Sequence, residues 1–194
     1  MLQERSPLLV AVAALVALPF ALNAIGLGVT SATEVVIFAM ACMALNILVG
    51  YTGLISFGHG AWFGFAAYAA GIIQRELLPG SMLLPILASL AIVAIIAAAF
   101  GYLILRRRGV YFALLTMALS AMMYVVAFRW TAVTGGEDGL GGIVRPDIAG
   151  FRLESNPTFY TLVATIGLLI VYVLWRFHRS PVGHVLIAIR ENEQ

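Results

Sequence analysis

The chain has 194 residues, of which 62% are hydrophobic and 10% charged, and its mean hydropathy is +1.03. Those values exclude an ordinary water-soluble globular domain, because most of the length lies in apolar runs of about 17–25 residues, enough to cross roughly 30 Å of hydrocarbon. All 11 basic residues are arginine and the net charge is +2. The chain therefore lacks the lysine that a Walker A loop or a pyridoxal Schiff base requires, and its charge gives no basis for binding nucleic acid.

In chain order, the first apolar run extends from Pro7 to Ile25 and is interrupted by Pro19. It is longer than a signal-peptide core, and only Arg5 against Glu4 precedes it, so an uncleaved helix is expected in preference to a signal peptide. The polar stretch "NAIGLGVTSAT" follows. A second run covers Thr33–Gly50 and a third Gly60–Gln74, closed by the turn "QRELLPGS". The fourth run is Met82–Leu105, the fifth Val110–Phe128 and the sixth Pro157–Phe177. Together they predict an all-α fold, a polytopic transmembrane helical bundle of about six membrane helices forming a single domain over 1–194. Cys42, the single cysteine, can make no intrachain disulfide and reads as a small packing residue.

Arginine-rich short loops stay on the cytoplasmic side. Six crossings that start inside put Arg5, Arg106, Arg107, Arg108, Arg176, Arg179 and Arg190 in the cytoplasm, and leave Arg75, Arg129, Arg145 and Arg152 outside. The outer arginines are diluted by Glu76, Glu137, Asp138, Asp147 and Glu154. Both termini are then cytoplasmic. Trp130, Tyr160 and Trp175 stand at run ends, as interfacial aromatics do.

The stretch "GYTGLISFGHG" joins the second and third runs. Its glycines, Gly50, Gly53, Gly58 and Gly60, alternate with Thr52, Ser56 and His59. Two readings stand: broken backbone lining a substrate path, which membrane proteins tolerate only where it is buried or wet, or a plain cytoplasmic turn. On the first reading Asn46, Tyr51, Thr52, Gly53, Ser56, Gly58 and His59 are pathway candidates. Asn46 has a competing role as hydrogen-bonding glue between helices. Beyond the break, Gly60, Gly64, Ala67 and Gly71 fall on one helical stripe of small residues, a face for close helix packing. No metal site is expected, since His59 is far in sequence from His178 and His184 and has no cysteine or carboxylate at ligand spacing. No cofactor is expected either.

The outer connection 131–157, "TAVTGGEDGLGGIVRPDIAGFRLESNPT", is hydrophilic and glycine-rich. Its acidic pair would repel an anion, and its oxygen ligands are too few for calcium. Its functional reading is docking of a soluble partner, with Gly135, Gly136, Asp138 and Gly139 at the turns. At the other end, Ser180 and Pro181 are a helix start, and Val182, Val185, Leu186 and Ile189 give an amphipathic cytoplasmic helix its apolar face. The carboxylates of Glu191 and Glu193 at its C-terminal end run against the helix dipole, which implies either a turn there or a chain that continues.

Three blocks then carry a family resemblance: "LNILVGYTGLISFGHGAWFGFAAYAAG", "RRRGVYFALLTMALSAMMYVV" with "TGGEDGL", and "RSPVGHVLIAIRENE". The chain resembles the LivM-type inner-membrane permease of branched-chain amino-acid ABC importers. The resemblance implies a bacterial inner (plasma) membrane location, a LivH-type second permease subunit, two cytoplasmic ATPase subunits and a periplasmic substrate-binding protein. It implies that 178–194 begins the cytoplasmic coupling segment, with Pro181, Gly183, Ala188, Arg190 and Glu191 on the family pattern. Such permeases continue past this segment, so the chain is expected to be the N-terminal part of a longer domain. The mechanism implied is alternating access, with ATP hydrolysed on other subunits. The rival classes are an ion-coupled secondary transporter or channel, which would need ion-coupling groups inside the membrane, and an intramembrane enzyme resting on His59 and Ser56. Glu34, near the outer end of the second run, is an interfacial carboxylate on this reading.

Overall fold

The computed structural model describes residues 6–106, 109–145 and 153–191. Glu4, Arg5, Arg107, Arg108, Asp147, Arg152, Asn192 and Glu193 lie outside the described residues. The regular elements are all helical: α1 (Ser6–Ala24), α2 (Val29–Asn46), α3 (His59–Ile72), α4 (Leu83–Ile104), α5 (Val110–Arg129), α6 (Thr131–Thr134), α7 (Asn156–His178) and α8 (Pro181–Glu191). Two of them end in a wider π-helical turn, Ile47–Tyr51 after α2 and Ile73–Leu77 after α3.

Among the described residues α1, α2 with its extension, α4, α5 and α7 are long and apolar enough to cross a membrane. The remaining expected run falls on α3, whose 14 α-helical residues are prolonged by the five of the π turn. Large apolar side chains point outward along these helices: Phe20 is 74% exposed, Ile95 70% and Val110 73%. In water that surface would be prohibitive, whereas in lipid it is the required one.

Two compact units divide the chain, one made of residues through Gly53 together with those from Leu153, the other of Leu54–Arg152. In the first, the turn after α1 folds it back along α2, with the Leu27 amide donating to the Leu22 carbonyl at 2.9 Å. Ala32, Val36, Tyr160 and Val163 form the core between α2 and α7. Gly167 keeps the two helices close, since a Cβ there would stand 3.2 Å from Val36. Tyr51 at the far end of α2 meets Phe177 and His178 at the far end of α7, so the two helices run in the same direction.

α2 starts at Val29, ahead of the expected Thr33, and takes in part of the polar "NAIGLGVTSAT". The physical reason is back-bonding: the Thr33 hydroxyl donates to the Val29 carbonyl at 3.0 Å, so the polar residue rides inside the helix with its hydroxyl satisfied. Cys42, expected to pack, is exposed on α2. Tyr160, expected at an interface, is buried in the core, and its hydroxyl donates to the Leu15 carbonyl at 2.5 Å. Pro19 explains that contact. It has no N–H to offer the carbonyl four residues earlier, which is Leu15, and the tyrosine supplies the missing donor.

In the second unit Trp62 of α3 packs edge-on against Phe100 of α4, with ring centroids 6.0 Å apart. Phe112, Thr116 and Leu119 form the buried face of α5. After α5 the chain doubles back through α6 and a 3-10 turn, Gly136–Asp138, and residues 140–144 cover the end of α3.

Candidate functional site

The backbone after the second run is irregular, as both readings of this stretch require: α2 widens to π geometry over Ile47–Tyr51, and residues 53–58 are not helical. Gly53 takes φ +72°, a left-handed value that suits glycine, and its amide still donates to the Val49 carbonyl at 3.2 Å. The Thr52 hydroxyl donates to the Leu48 carbonyl at 2.5 Å. These bonds satisfy part of the helix end but leave the Gly50 carbonyl, one of the orphan acceptors any helix C-terminus carries.

Arg190 meets that acceptor. Its guanidinium donates to the Gly50 carbonyl, placing a cation at a helix C-terminus, where the dipole favours it. The methylenes of Arg190 lie against Gly53, where a Cβ would stand 2.9 Å from Cγ. Beside them the Tyr51 hydroxyl and His178 Nδ1 are hydrogen-bonded at 2.9 Å, and the Tyr51 ring leans on Phe177 with centroids 5.6 Å apart. Glu191 is 3.4 Å from the same guanidinium and well exposed, a pair that water screens into little energetic weight.

α8 is seated by its first turn. The Ser180 hydroxyl accepts from the Gly183 amide at 3.2 Å and donates to the Phe177 carbonyl at 2.7 Å, so the expected serine cap is formed, with Pro181 as the first helical residue. Gly183 is buried where a Cβ would come within 2.5 Å of the Phe177 carbonyl. The covered face is Gly183, Leu186 and Ile187, while Val182, Val185 and Ile189 are 58%, 56% and 55% exposed and Arg190, itself exposed, reaches back to Gly50. The apolar face read from spacing is thus split, with Leu186 on the packed side and the three β-branched residues on the open side. Ala188 is on the open side too.

On the other side of Gly53, the irregular segment is docked deep on a helix. The Phe57 amide donates to the Thr116 hydroxyl at 3.1 Å, and that hydroxyl donates to the Ala113 carbonyl at 2.8 Å. Gly58 is buried against the Thr116 backbone, where a Cβ would sit 2.6 Å from the carbonyl oxygen. Thr116 lies six residues past Val110, about 9 Å along α5. The Ser56 hydroxyl accepts from the Gly58 amide at 3.3 Å, and His59 opens α3, half-buried.

Asn46 is exposed on α2, and among the described residues its amide has no hydrogen-bond partner. It lies over Gly50, where a Cβ would be 2.6 Å from its Oδ1. Of the glycines in the small-residue stripe on α3, Gly71 meets neighbours among the described residues, with Leu140 and Ile143 side chains 2.6 and 2.7 Å from where its Cβ would be. Gly60 and Gly64 face open space, and Ala67 is exposed.

Four candidates fall in the loop. Gly135 and Gly136 turn the chain beside Thr134, whose buried hydroxyl donates to the Ala127 carbonyl at 2.5 Å and accepts from the Gly136 amide at 3.3 Å. Asp138 is exposed and Gly139 half-buried. Sequence reasoning missed Thr116, Thr134 and Gln74, which is buried and donates to the Val144 carbonyl at 2.7 Å. Gln74 carried a signal, a polar amide at the end of an apolar run, whereas a threonine inside a helix carries none because it can always bond its own carbonyls.

The profile of the family described as branched-chain amino acid transport system / permease component matches residues 27–194. Among curated proteins, the high-affinity branched-chain amino acid transport system permease protein LivM of Escherichia coli (strain K12) is 27% identical over 189 residues, 84% of this chain and 43% of that protein. The LivM protein of Salmonella typhimurium (strain LT2) is 25% identical over the same shares. The chain therefore spans less than half the length of these relatives. No solved structure matches it significantly.

Proposed function

We propose, because this chain belongs to the branched-chain amino acid transport system permease component family, that it supplies membrane-crossing helices to an ATP-driven importer of branched-chain amino acids or a related small solute. The family match over 27–194 is the observation that carries this reading. The importer works by alternating access, without chemistry on the solute, and ATP is hydrolysed on separate cytoplasmic ATPase subunits. A LivH-type second permease completes the conduit, and Gly60, Gly64 and Ala67 offer it, or further helices of this protein, a face for close approach. A periplasmic substrate-binding protein docks at the loop of Gly135, Gly136, Asp138 and Gly139.

Along the path stand Asn46, Tyr51, Thr52, Gly53, Ser56, Gly58 and His59. Asn46 is the residue best suited to hold a solute, because an amide in an apolar span with no partner of its own is costly until something fills it. In the coupling segment, Pro181 and Gly183 set the start of α8, and its open stripe, Val182, Val185 and Ile189 with Ala188, meets the ATPase. Both termini lie in the cytoplasm of a bacterium, and the segment 53–58 reaches into the bilayer instead of crossing the water beneath it. The depth of the Thr116 contact supports that last point.

The test is uptake of radiolabelled leucine, driven by ATP, into vesicles holding the whole importer and its binding protein. Val185→Asp places a charge on the open stripe. It is expected to abolish uptake and release the ATPase subunits during purification. Full uptake by that variant, or ATP-independent uptake by the unaltered protein, contradicts the proposal.

A further inference from the structure

We infer that Arg190 works as the bolt that fastens α8 to the broken end of α2, so that α8 and residues 47–53 move as one body. The motif resemblance assigns Arg190 to coupling with an ATPase, which would call for an outward-facing cation. The geometry gives the side chain a second use: although it remains 39% exposed, one guanidinium nitrogen donates to the Gly50 carbonyl, and the stem lies in the space that Gly53 leaves by having no Cβ. A second fastener lies beside it, the hydrogen bond between Tyr51 and His178 at 2.9 Å, with the Tyr51 ring against Phe177. A third holds the start of α8, where buried Gly183 rests on the Phe177 carbonyl.

The joint has a mechanical consequence, which rests on the proposed transport function. Only Arg179 and Ser180 separate α7 from α8, and a link so short and capped at Ser180 leaves α8 little freedom of its own. Force applied to the open stripe of α8 passes through Arg190 to Gly50, and from there to the Asn46 amide that lies over Gly50. Arg190 is on this account a positioning residue: it touches neither motor nor solute, and it sets the place of the residues that do. The chemistry asks for a donor long enough to reach a helix-end carbonyl. Lysine can reach it as a point charge, and methionine keeps the packing on Gly53 but has nothing to donate.

Hydrogen exchange on the whole protein in lipid nanodiscs reads the joint directly. Arg190→Met is expected to raise amide exchange over residues 47–53 about tenfold, the loss of one charge-assisted hydrogen bond, with α5 unchanged. Arg190→Lys is expected to restore most of the protection. Unchanged exchange in the methionine variant overturns the inference, as does a lysine variant as loose as methionine, which would mean packing alone. Should Arg190→Met fail to fold, Tyr51→Phe serves instead: faster exchange over the same peptide supports the joint and unchanged exchange overturns it. In the complete importer, leucine uptake at equal subunit co-purification is expected to fall with methionine and recover with lysine, and uptake indifferent to both overturns the mechanical role. If the unaltered importer takes up no leucine at all, the transport reading fails while the exchange result still decides the joint.

Discussion

Tyr160 illustrates how a single residue is placed by a defect elsewhere in the chain. Pro19 interrupts the hydrogen-bond ladder of α1, and in hydrocarbon no water is available to take up the Leu15 carbonyl, so a donor has to come from the protein. The tyrosine hydroxyl supplies it at 2.5 Å from a position buried between α2 and α7. Tyr160→Phe is therefore expected to destabilise the fold by about 1 kcal/mol, in line with hydrogen bonds measured inside membranes, as read by unfolding in detergent. The same change made together with Pro19→Ala should cost less, because alanine restores the intrahelical donor. Equal costs in the two backgrounds would mean that the hydroxyl serves something other than the proline gap. Nothing in the local sequence around Tyr160 announces this role, since proline and tyrosine are far apart in the chain. A tyrosine near the end of an apolar run reads as interfacial by default.

At the scale of elements, the helices were largely legible and their attachments were not. Run length and the absence of charge are enough to find a span, because lipid admits little other than helix. Spacing also finds faces, but it cannot say which face has a neighbour. The stripe on α3 shows the difference: Gly60, Gly64 and Gly71 share one side with Ala67, yet among the three glycines Gly71 is the one pressed by described side chains, those of Leu140 and Ile143. Nearby, Gln74 holds the Val144 carbonyl at 2.7 Å, so the returning loop is fixed to the end of α3 at two points. Gly71→Val is expected to lift residues 140–144 and make that segment markedly more sensitive to limited proteolysis. Gly60→Ala and Gly64→Ala should leave its sensitivity unchanged. Equal sensitivity in all three variants would show that the loop is held by other means. The C-terminal helix gives the same lesson from the opposite direction. Its cap at Ser180 was readable from two residues, but the reach of Arg190 to the end of α2 depends on an orphan carbonyl at Gly50, far away in sequence.

For the whole molecule, composition points to the solvent, and family membership is what the proposed kind of work rests on. Between those two stands the proposed arrangement in the bilayer, in which the placement of the arginines is the reason to expect α8 in the cytoplasm and the loop of Glu137 and Asp138 outside. The joint between α8 and α2 has a transport role only if α8 is on the side where ATPase subunits reside. Labelling with a membrane-impermeant maleimide, on a Cys42→Ala background in intact cells, tests this most directly. Glu137→Cys is predicted to react before the cells are opened, and His184→Cys only afterwards. Reaction of both positions from the same side would contradict the account.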